Sequence, residues 1–336
     1  MTARAVVVDA PRQLRLAPTE PLPPAPGEAL VRVSHSGICG SDRELYTGGR
    51  PAGLVRYPVT PGHEWSGTVA EVAADVDPGL LGRSVVGEGF RSCGTCPACR
   101  RGDNNLCAAD YDETGFTRPG AWADYLALPA RLLHVLPDGA DLRAAAALEP
   151  AAVAAAACLR LSVLPGERVA VVGGGSLGLL AAQLLSASSP GELVLVDPDR
   201  DRGEPATACG ASTLLAPGEA EQRTGGFDAV LEAAGASGTA ALATRLTRPG
   251  GRVVLTGVPA AEDHLSPTAL VCSQTTLHTV FGAPSRAWSH AVRAFGSGLL
   301  DPGLIIGREL DLDEAARALD MLGDPHPGAV KILLRP

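Results

Sequence analysis

Lysine is almost missing from this 336-residue chain: Lys331 stands alone among 28 basic residues, all the others being arginine. That scarcity reads as a bias of composition and points to no chemistry by itself. A surplus of positive charge is missing too. Acidic residues number 37 and the formal net charge is -9, which argues against nucleic acid or an anionic membrane as partner. Long hydrophobic runs are also lacking. The longest, Ala144–Leu159, is interrupted by Glu149 and Pro150, so no membrane span is expected. Charges at Arg4, Asp9, Arg12 and Arg15 break up the first residues, so no secretory leader is expected and the expected location is the cytoplasm.

What is present suits a globular protein. Hydrophobic residues make up 46% and charged residues 19%, and the length suggests two domains. The first part has short β-type runs at 5–8, 29–33, 68–72 and 84–87, separated by dense Pro and Gly. Near residue 150 the texture changes. Apolar runs at 168–172, 193–196, 227–231 and 252–256 alternate with helical stretches such as 176–186, as parallel βαβ units do. Helix-like segments at 287–295 and 313–322 and a β run at 329–334 close the chain. The fold class expected is α/β, with an irregular β-rich part followed by a doubly wound parallel sheet.

Arg168–Val172 runs into Gly173-Gly-Gly175-Ser176-Leu177-Gly178, a G-x-G-x-x-G element after a strand and opening a helix. Gly173 permits the tight turn, Gly175 lets a pyrophosphate approach the backbone, and Gly178 lets helix and strand pack closely. Asp197 ends the next β run, roughly 20 residues on, where a carboxylate accepts hydrogen bonds from a ribose and repels a 2′-phosphate. This favours NAD. Arg200 and Arg202, just beyond, leave NADP open because they can line the adenine pocket or meet a phosphate. A Gly-rich turn with an unrelated acid is the plain alternative.

Four cysteines, Cys93, Cys96, Cys99 and Cys107, fall within fifteen residues. Without a secretory leader they read as a metal site, and four thiolates fill a tetrahedral zinc completely, as in a structural site. An iron–sulfur cluster is the chemical rival. A second, open zinc site is suggested by Cys39, by His63-Glu64 and by Glu149-Pro150, which offer one thiolate, one imidazole and one carboxylate and leave a position for water or substrate. Each signal alone also reads as a core cysteine, a surface pair or a solvated acid.

As a set, Cys39-Gly-Ser-Asp42, Gly62-His-Glu64, the cysteine lobe, Glu149-Pro150 and Gly173–Gly178 have the order and spacing of zinc-containing medium-chain dehydrogenases, the alcohol dehydrogenase superfamily. The chain resembles that family over essentially its whole length. Its Glu149-Pro150 is similar to the polyol, threonine, glucose and aminocyclitol dehydrogenase branches, where liver-type enzymes have cysteine. The resemblance implies a GroES-like catalytic domain over 1–150 with its zinc lobe at 93–107, a Rossmann domain over 151–285, and a C-terminal segment, 286–336, returning to the catalytic domain. It places the active site in the cleft between the two domains.

It further implies two zincs per chain. Cys39, His63 and Glu149 hold the catalytic one, with Glu64 as intermittent fourth ligand or neighbour. Asp42 fixes the His63 tautomer and Ser41 starts a proton relay. Many members carry histidine at the relay's outer end, where this chain has Glu44; Glu44 is either the relay group or a structural carboxylate paired with Arg43 or Arg50. Val258 and Phe281 are candidate nicotinamide contacts, the alternative being ordinary core or loop positions. Residues 46–57 and 110–118 are expected to shape the pocket. The implied activity is hydride transfer between a secondary alcohol (polyol, sugar, cyclitol or aminocyclitol) and NAD or NADP. A biosynthetic ketone reductase and a non-catalytic cofactor binder are the alternatives. The expected partners are the small alcohol or ketone and further copies of the chain, as a homodimer or homotetramer.

Overall fold

The computed structural model describes residues 3–259, 263–322 and 330–336. The chain divides into two compact units, one of Met1–Glu149, Pro284–Val292 and Ile306–Pro336, the other of Pro150–Ala283 and Arg293–Ile305. The C-terminal stretch is thus divided, with 293–305 belonging to the second unit.

The first unit is built on a seven-stranded sheet. Its order runs Ile306–Asp311, Lys331–Arg335, Glu28–Ile38, Trp65–Val72, Ser84–Gly87 and Leu133–Val135, and Tyr125–Pro129 pairs with Glu28–Ile38. Ala3–Ala10 and Gln13–Thr19 form a separate antiparallel hairpin. Glu28–Ile38 is central because its alternate residues Ala29, Val31 and Val33 are apolar, and they enter a core with Trp65, Val69, Val85, Leu126 and Leu128. Its far end delivers Cys39 as the N-cap of the helix Gly40–Thr47. Lys331–Arg335 lies antiparallel to that same end, pairing Ile332 with Ile38.

The second unit is a six-stranded parallel sheet in the order Thr213–Leu215, Glu192–Val196, Arg168–Val172, Phe227–Glu232, Thr247–Leu255 and Thr276–Thr279. Its inner strands are nearly continuous apolar runs because helices cover both faces of such sheets. Ala170, Val172, Val194, Val230 and Val253 share one core with Leu242 and Leu246. The chain starts at Arg168–Val172, builds outward to one side, then crosses to the other at Phe227–Glu232. That switch point is where an open parallel sheet leaves a crevice for a ligand. Among the described residues no helix is long and apolar enough to cross a membrane.

Candidate metal centres and dinucleotide loop

The helix Gly40–Thr47 starts with a reciprocal cap: Asp42 Oδ2 accepts the Cys39 N–H at 2.9 Å. This fixes Asp42, which is buried, with its other oxygen 3.4 Å from His63 Nδ1. Neither Asp42 Oδ1 nor His63 Nδ1 has a hydrogen-bonded partner, so the two face one another and leave Nε2 of the imidazole for another role. Cys39, His63 and Glu64 bring ligand atoms within 4.8 Å of one another. Burial by itself would lower the His63 pKa, yet Asp42 and then Cys39 carry it well above the ordinary value. Burial pushes the Glu149 carboxyl up to about 7, with His63 favouring its charge and Glu64 and Glu113 opposing it. A thiol, an imidazole and the Glu64 carboxylate with ligand atoms so close form a donor set that fits zinc, and Glu149 is not in that group.

Lys331 brings positive charge to Glu64. Its Nζ donates to both Glu64 oxygens at 2.8 Å and to the Ile38 carbonyl at 3.2 Å. Both residues are almost fully buried, at 3% and 1% exposed. Composition alone had given Lys331 no role; the only usable signal was a single lysine kept where the chain otherwise uses arginine.

Glu44 is exposed on the same helix; Arg50 donates its backbone N–H to the Glu44 carbonyl at 3.4 Å, but its guanidinium does not meet the Glu44 carboxylate. Arg50 turns instead to Tyr111 at 2.7 Å and Glu113 at 3.4 Å, because its guanidinium lies over the Phe116 ring, 3.6 Å from the centroid. Glu113 was another residue without a sequence signature. Ser41 sits half-buried in the first turn after Cys39.

The four lobe cysteines likewise gather their sulfurs within 4.8 Å. None of the eight cysteines is in a disulfide. Backbone N–H groups point at the lobe sulfurs: Cys93 N at Cys107 Sγ (3.3 Å), Cys96 N at Cys93 Sγ (3.4 Å) and Ala108 N at Cys96 Sγ (3.5 Å). Such bonds favour thiolate, and those from Thr95 and Cys96 bring Cys93 down to about 5. Burial instead pushes Cys99 up to about 11. The lobe is tied to the rest of its unit through Asn104, which donates to Glu88 at 2.6 Å and accepts the Ser285 N–H at 2.7 Å. Glu88 also meets His134 Nε2 at 3.0 Å.

In the second unit, Gly173 has φ +107°, and a Cβ on Gly178 would lie 1.8 Å from the Gly173 carbonyl oxygen. Only glycine fits either place. A Cβ on Gly175 would meet nothing within 4 Å, so space is open above the N-cap of the helix Ser176–Ser186. Gly178 is buried, Ser176 and Leu177 half-buried. Asp197 ends Glu192–Val196 and accepts the Gly174 N–H at 2.6 Å and the Asp199 N–H at 2.8 Å. Arg202 is held by Asp199 at 3.2 Å, and its Nη1 is buried without a partner. Val258 and Phe281 follow Thr247–Leu255 and Thr276–Thr279 and are 71% and 55% exposed, so neither is a core residue.

Comparison with known proteins identifies the family. Residues 25–138 match the alcohol dehydrogenase GroES-like domain and 176–297 the zinc-binding dehydrogenase family. The L-threonine 3-dehydrogenase of Streptomyces avermitilis is 31% identical over 290 residues, 84% of this chain and 84% of that protein. A thermostable alcohol dehydrogenase from Pyrobaculum aerophilum, solved with cobalt and zinc, superposes with a TM-score of 0.91 at 28% identity, covering 100% of both chains. A zinc-binding dehydrogenase structure from Sinorhizobium meliloti, bound to NADP, gives 0.92 at 29% identity over 100% of both chains. The chain therefore belongs to the zinc-binding alcohol dehydrogenase family of medium-chain oxidoreductases, whose cofactors are zinc and a nicotinamide dinucleotide.

Proposed function

We propose that this protein oxidises a secondary alcohol, in the polyol, sugar or cyclitol range, to the ketone with transfer of hydride to NAD(P). The observation that carries the reading is the convergence of half-buried Cys39 with buried His63 and Glu64, in a chain that also keeps the glycine loop. Bound zinc supplies a Lewis acid for the substrate hydroxyl, and the dinucleotide supplies the redox chemistry.

Cys39, His63 and Glu149 hold the metal, with Glu64 drawn back by Lys331 and available as an alternate ligand. Asp42 keeps His63 in the tautomer whose Nε2 is unprotonated. Ser41 accepts the hydroxyl proton's hydrogen bond and passes the proton outward, with Glu44 at the solvent end of the same helix. Cys93, Cys96, Cys99 and Cys107 hold a second, structural zinc. The N–H groups opening Ser176–Ser186, from Gly175 through Leu177, receive the pyrophosphate. Asp197 keeps lone pairs for the ribose hydroxyls and favours NAD, while Arg202 offers its free Nη1 on the adenosine side. Val258 and Phe281 border the nicotinamide. Assembly as a dimer or tetramer belongs to the same reading, supported by Thr276–Thr279 standing at a sheet edge.

The test joins zinc analysis to NADH absorbance over a panel of alcohols. Two zincs per chain and NADH formation are expected. Cys39→Ala should keep one zinc and the fold and lose turnover. Undiminished turnover in a Cys39→Ala protein lacking that zinc would refute the assignment.

A further inference from the structure

The chain on either side of His63 is held by two other segments of the first unit. After it, the Glu64 carbonyl accepts the Gly37 N–H at 2.9 Å and the Ser36 hydroxyl at 2.8 Å. Before it, three successive carbonyls are taken by the segment 115–122. Thr60 O accepts the Gly120 N–H at 2.7 Å, Pro61 O that of Trp122 at 3.0 Å, and Gly62 O that of Ala121 at 2.8 Å. Gly62 itself has φ +99°, and a Cβ there would come within 2.4 Å of the Trp122 ring.

The contact between 115–122 and Pro61-Gly62 is backbone on backbone. A Cβ on Gly120 would lie 2.4 Å from both the Pro61 and the Gly62 carbonyl oxygens and 2.6 Å from Gly115 Cα. A Cβ on Gly115 would lie 2.9 Å from the Gly62 carbonyl carbon. An approach this close admits only glycine. The same segment also reaches the imidazole. Phe116, 1% exposed, packs its ring on His63 with centroids 4.8 Å apart and planes tilted by 39°. The Arg50 guanidinium lies 3.6 Å from the Phe116 centroid and holds that ring in turn.

Asp42 faces His63 Nδ1 at 3.4 Å and decides which nitrogen is left for a metal. It does not decide where the His63 Cα stands or how the ring is tilted. Metal coordination tolerates errors of only about 0.2 Å, so both must be set elsewhere. We infer that 115–122 sets them, with Gly120 placing the backbone and Phe116 the ring. Both are positioning residues: the gathered donor atoms of the two candidate metal centres all lie outside 115–122. Main chain suits the task, because side chains hop between rotamers and a closely packed backbone does not. The inference rests on the reading of His63 as a metal ligand and names what aims it.

Gly120→Ala must push the Pro61 and Gly62 carbonyls from 2.4 Å to at least 3.0 Å from the new Cβ, which moves the chain next to His63 by more than coordination tolerates. The test uses the full chain loaded with zinc and, separately, with cobalt(II) as a visible probe. The catalytic-site bands are those that Cys39→Ala removes from the cobalt spectrum. Gly120→Ala should shift these bands. Against a competing chelator it should weaken one of the two zincs roughly 10- to 100-fold and spare the other. It should lower kcat by on the order of 100-fold while KM for the alcohol changes only a few fold. Phe116→Leu, which keeps an apolar side chain and loses the ring, should shift the same bands and lower kcat several fold, and serves if Gly120→Ala does not fold. Gly191→Ala is the control: its Cβ would lie 2.5 Å from the Gly166 oxygen in the second unit, so it should lower the melting temperature and leave bands and zinc affinity alone. Unchanged bands and zinc affinity in Gly120→Ala and Phe116→Leu, or equal shifts in Gly191→Ala, overturn the inference and leave the metal reading standing. A wild-type cobalt spectrum with no Cys39-dependent band overturns both. Shifted bands in a protein that takes hydride from no alcohol would support the inference and overturn only the dehydrogenase reading.

Discussion

Lys331→Met removes the cation of a buried ion pair in the first unit. The substitution keeps the stem's volume and removes the ammonium. Glu64, 1% exposed, then loses two hydrogen bonds of 2.8 Å and its only buried cationic side-chain partner described here, and the Ile38 carbonyl loses a donor. Breaking one side of a buried ion pair costs roughly 3–5 kcal/mol, because the survivor keeps its desolvation penalty. Fluorescence offers a clean assay. All three tryptophans, Trp65, Trp122 and Trp288, belong to the first unit, so urea denaturation followed by their emission reports on it directly. With an m value of about 3 kcal/mol/M, the midpoint of the zinc-loaded protein should fall by roughly 1–1.7 M. Adding Glu64→Gln should recover much of the loss, since the stranded charge disappears with its partner. A midpoint within about 0.2 M of wild type, or a double variant less stable than Lys331→Met, would show that the pair is not the buried device described here.

Gly178→Ala should abolish dinucleotide binding, because its Cβ would fall 1.8 Å from the Gly173 oxygen; NADH fluorescence titration reads this, and retained affinity would contradict the loop geometry. Cys96→Ser should lower the zinc content by one per chain and the melting temperature with it; a variant that melts like wild type but has lost turnover would contradict a structural role for the lobe. Asp197→Ala should narrow the NAD-over-NADP preference, and an unchanged ratio of kcat/KM values would remove Asp197 from the ribose site. Glu192 is held below its ordinary pKa first by Arg223 and then by Arg168, at 2.6 and 3.1 Å. A depressed carboxylate stabilises fully above the unfolded value of 4.5 and progressively less as pH falls through its folded value. Glu192→Gln should therefore cost roughly 1 kcal/mol at pH 7, with the gap to wild type closing below pH 4.5; a gap that widens in acid would reverse the sign of the argument.

The parts legible in the sequence were those written locally. Arg168–Val172 and Ser176–Ser186 fall where the apolar run and the glycines put them, since both signals lie within a dozen residues. The cysteine lobe was legible for the same reason. Ile306–Asp311 was not: it is an edge strand with one buried residue in six, and its pattern carries no apolar alternation. At the metal site the donor types were readable, but the cation that pairs with Glu64 was not. Lys331 lies 267 residues from Glu64 and is delivered by a strand that pairs with Glu28–Ile38. Arg50 and Glu113 are 63 residues apart, and a stacked Phe116 decides their pairing against the nearer Glu44. Of the expected closing run 329–334, residue 329 lies outside the described residues, and the strand is Lys331–Arg335.

The burial of Lys331 also governs how this protein meets reactive chemistry. Its one lysine amine is closed off inside an ion pair, at 3% exposure. Acylating and glycating reagents, aldehyde crosslinkers and amine-coupled supports therefore find no lysine on the folded surface. The ε-amine becomes available only when the strand Lys331–Arg335 leaves its sheet, which turns acylation of Lys331 into a mass-readable clock for opening of that edge.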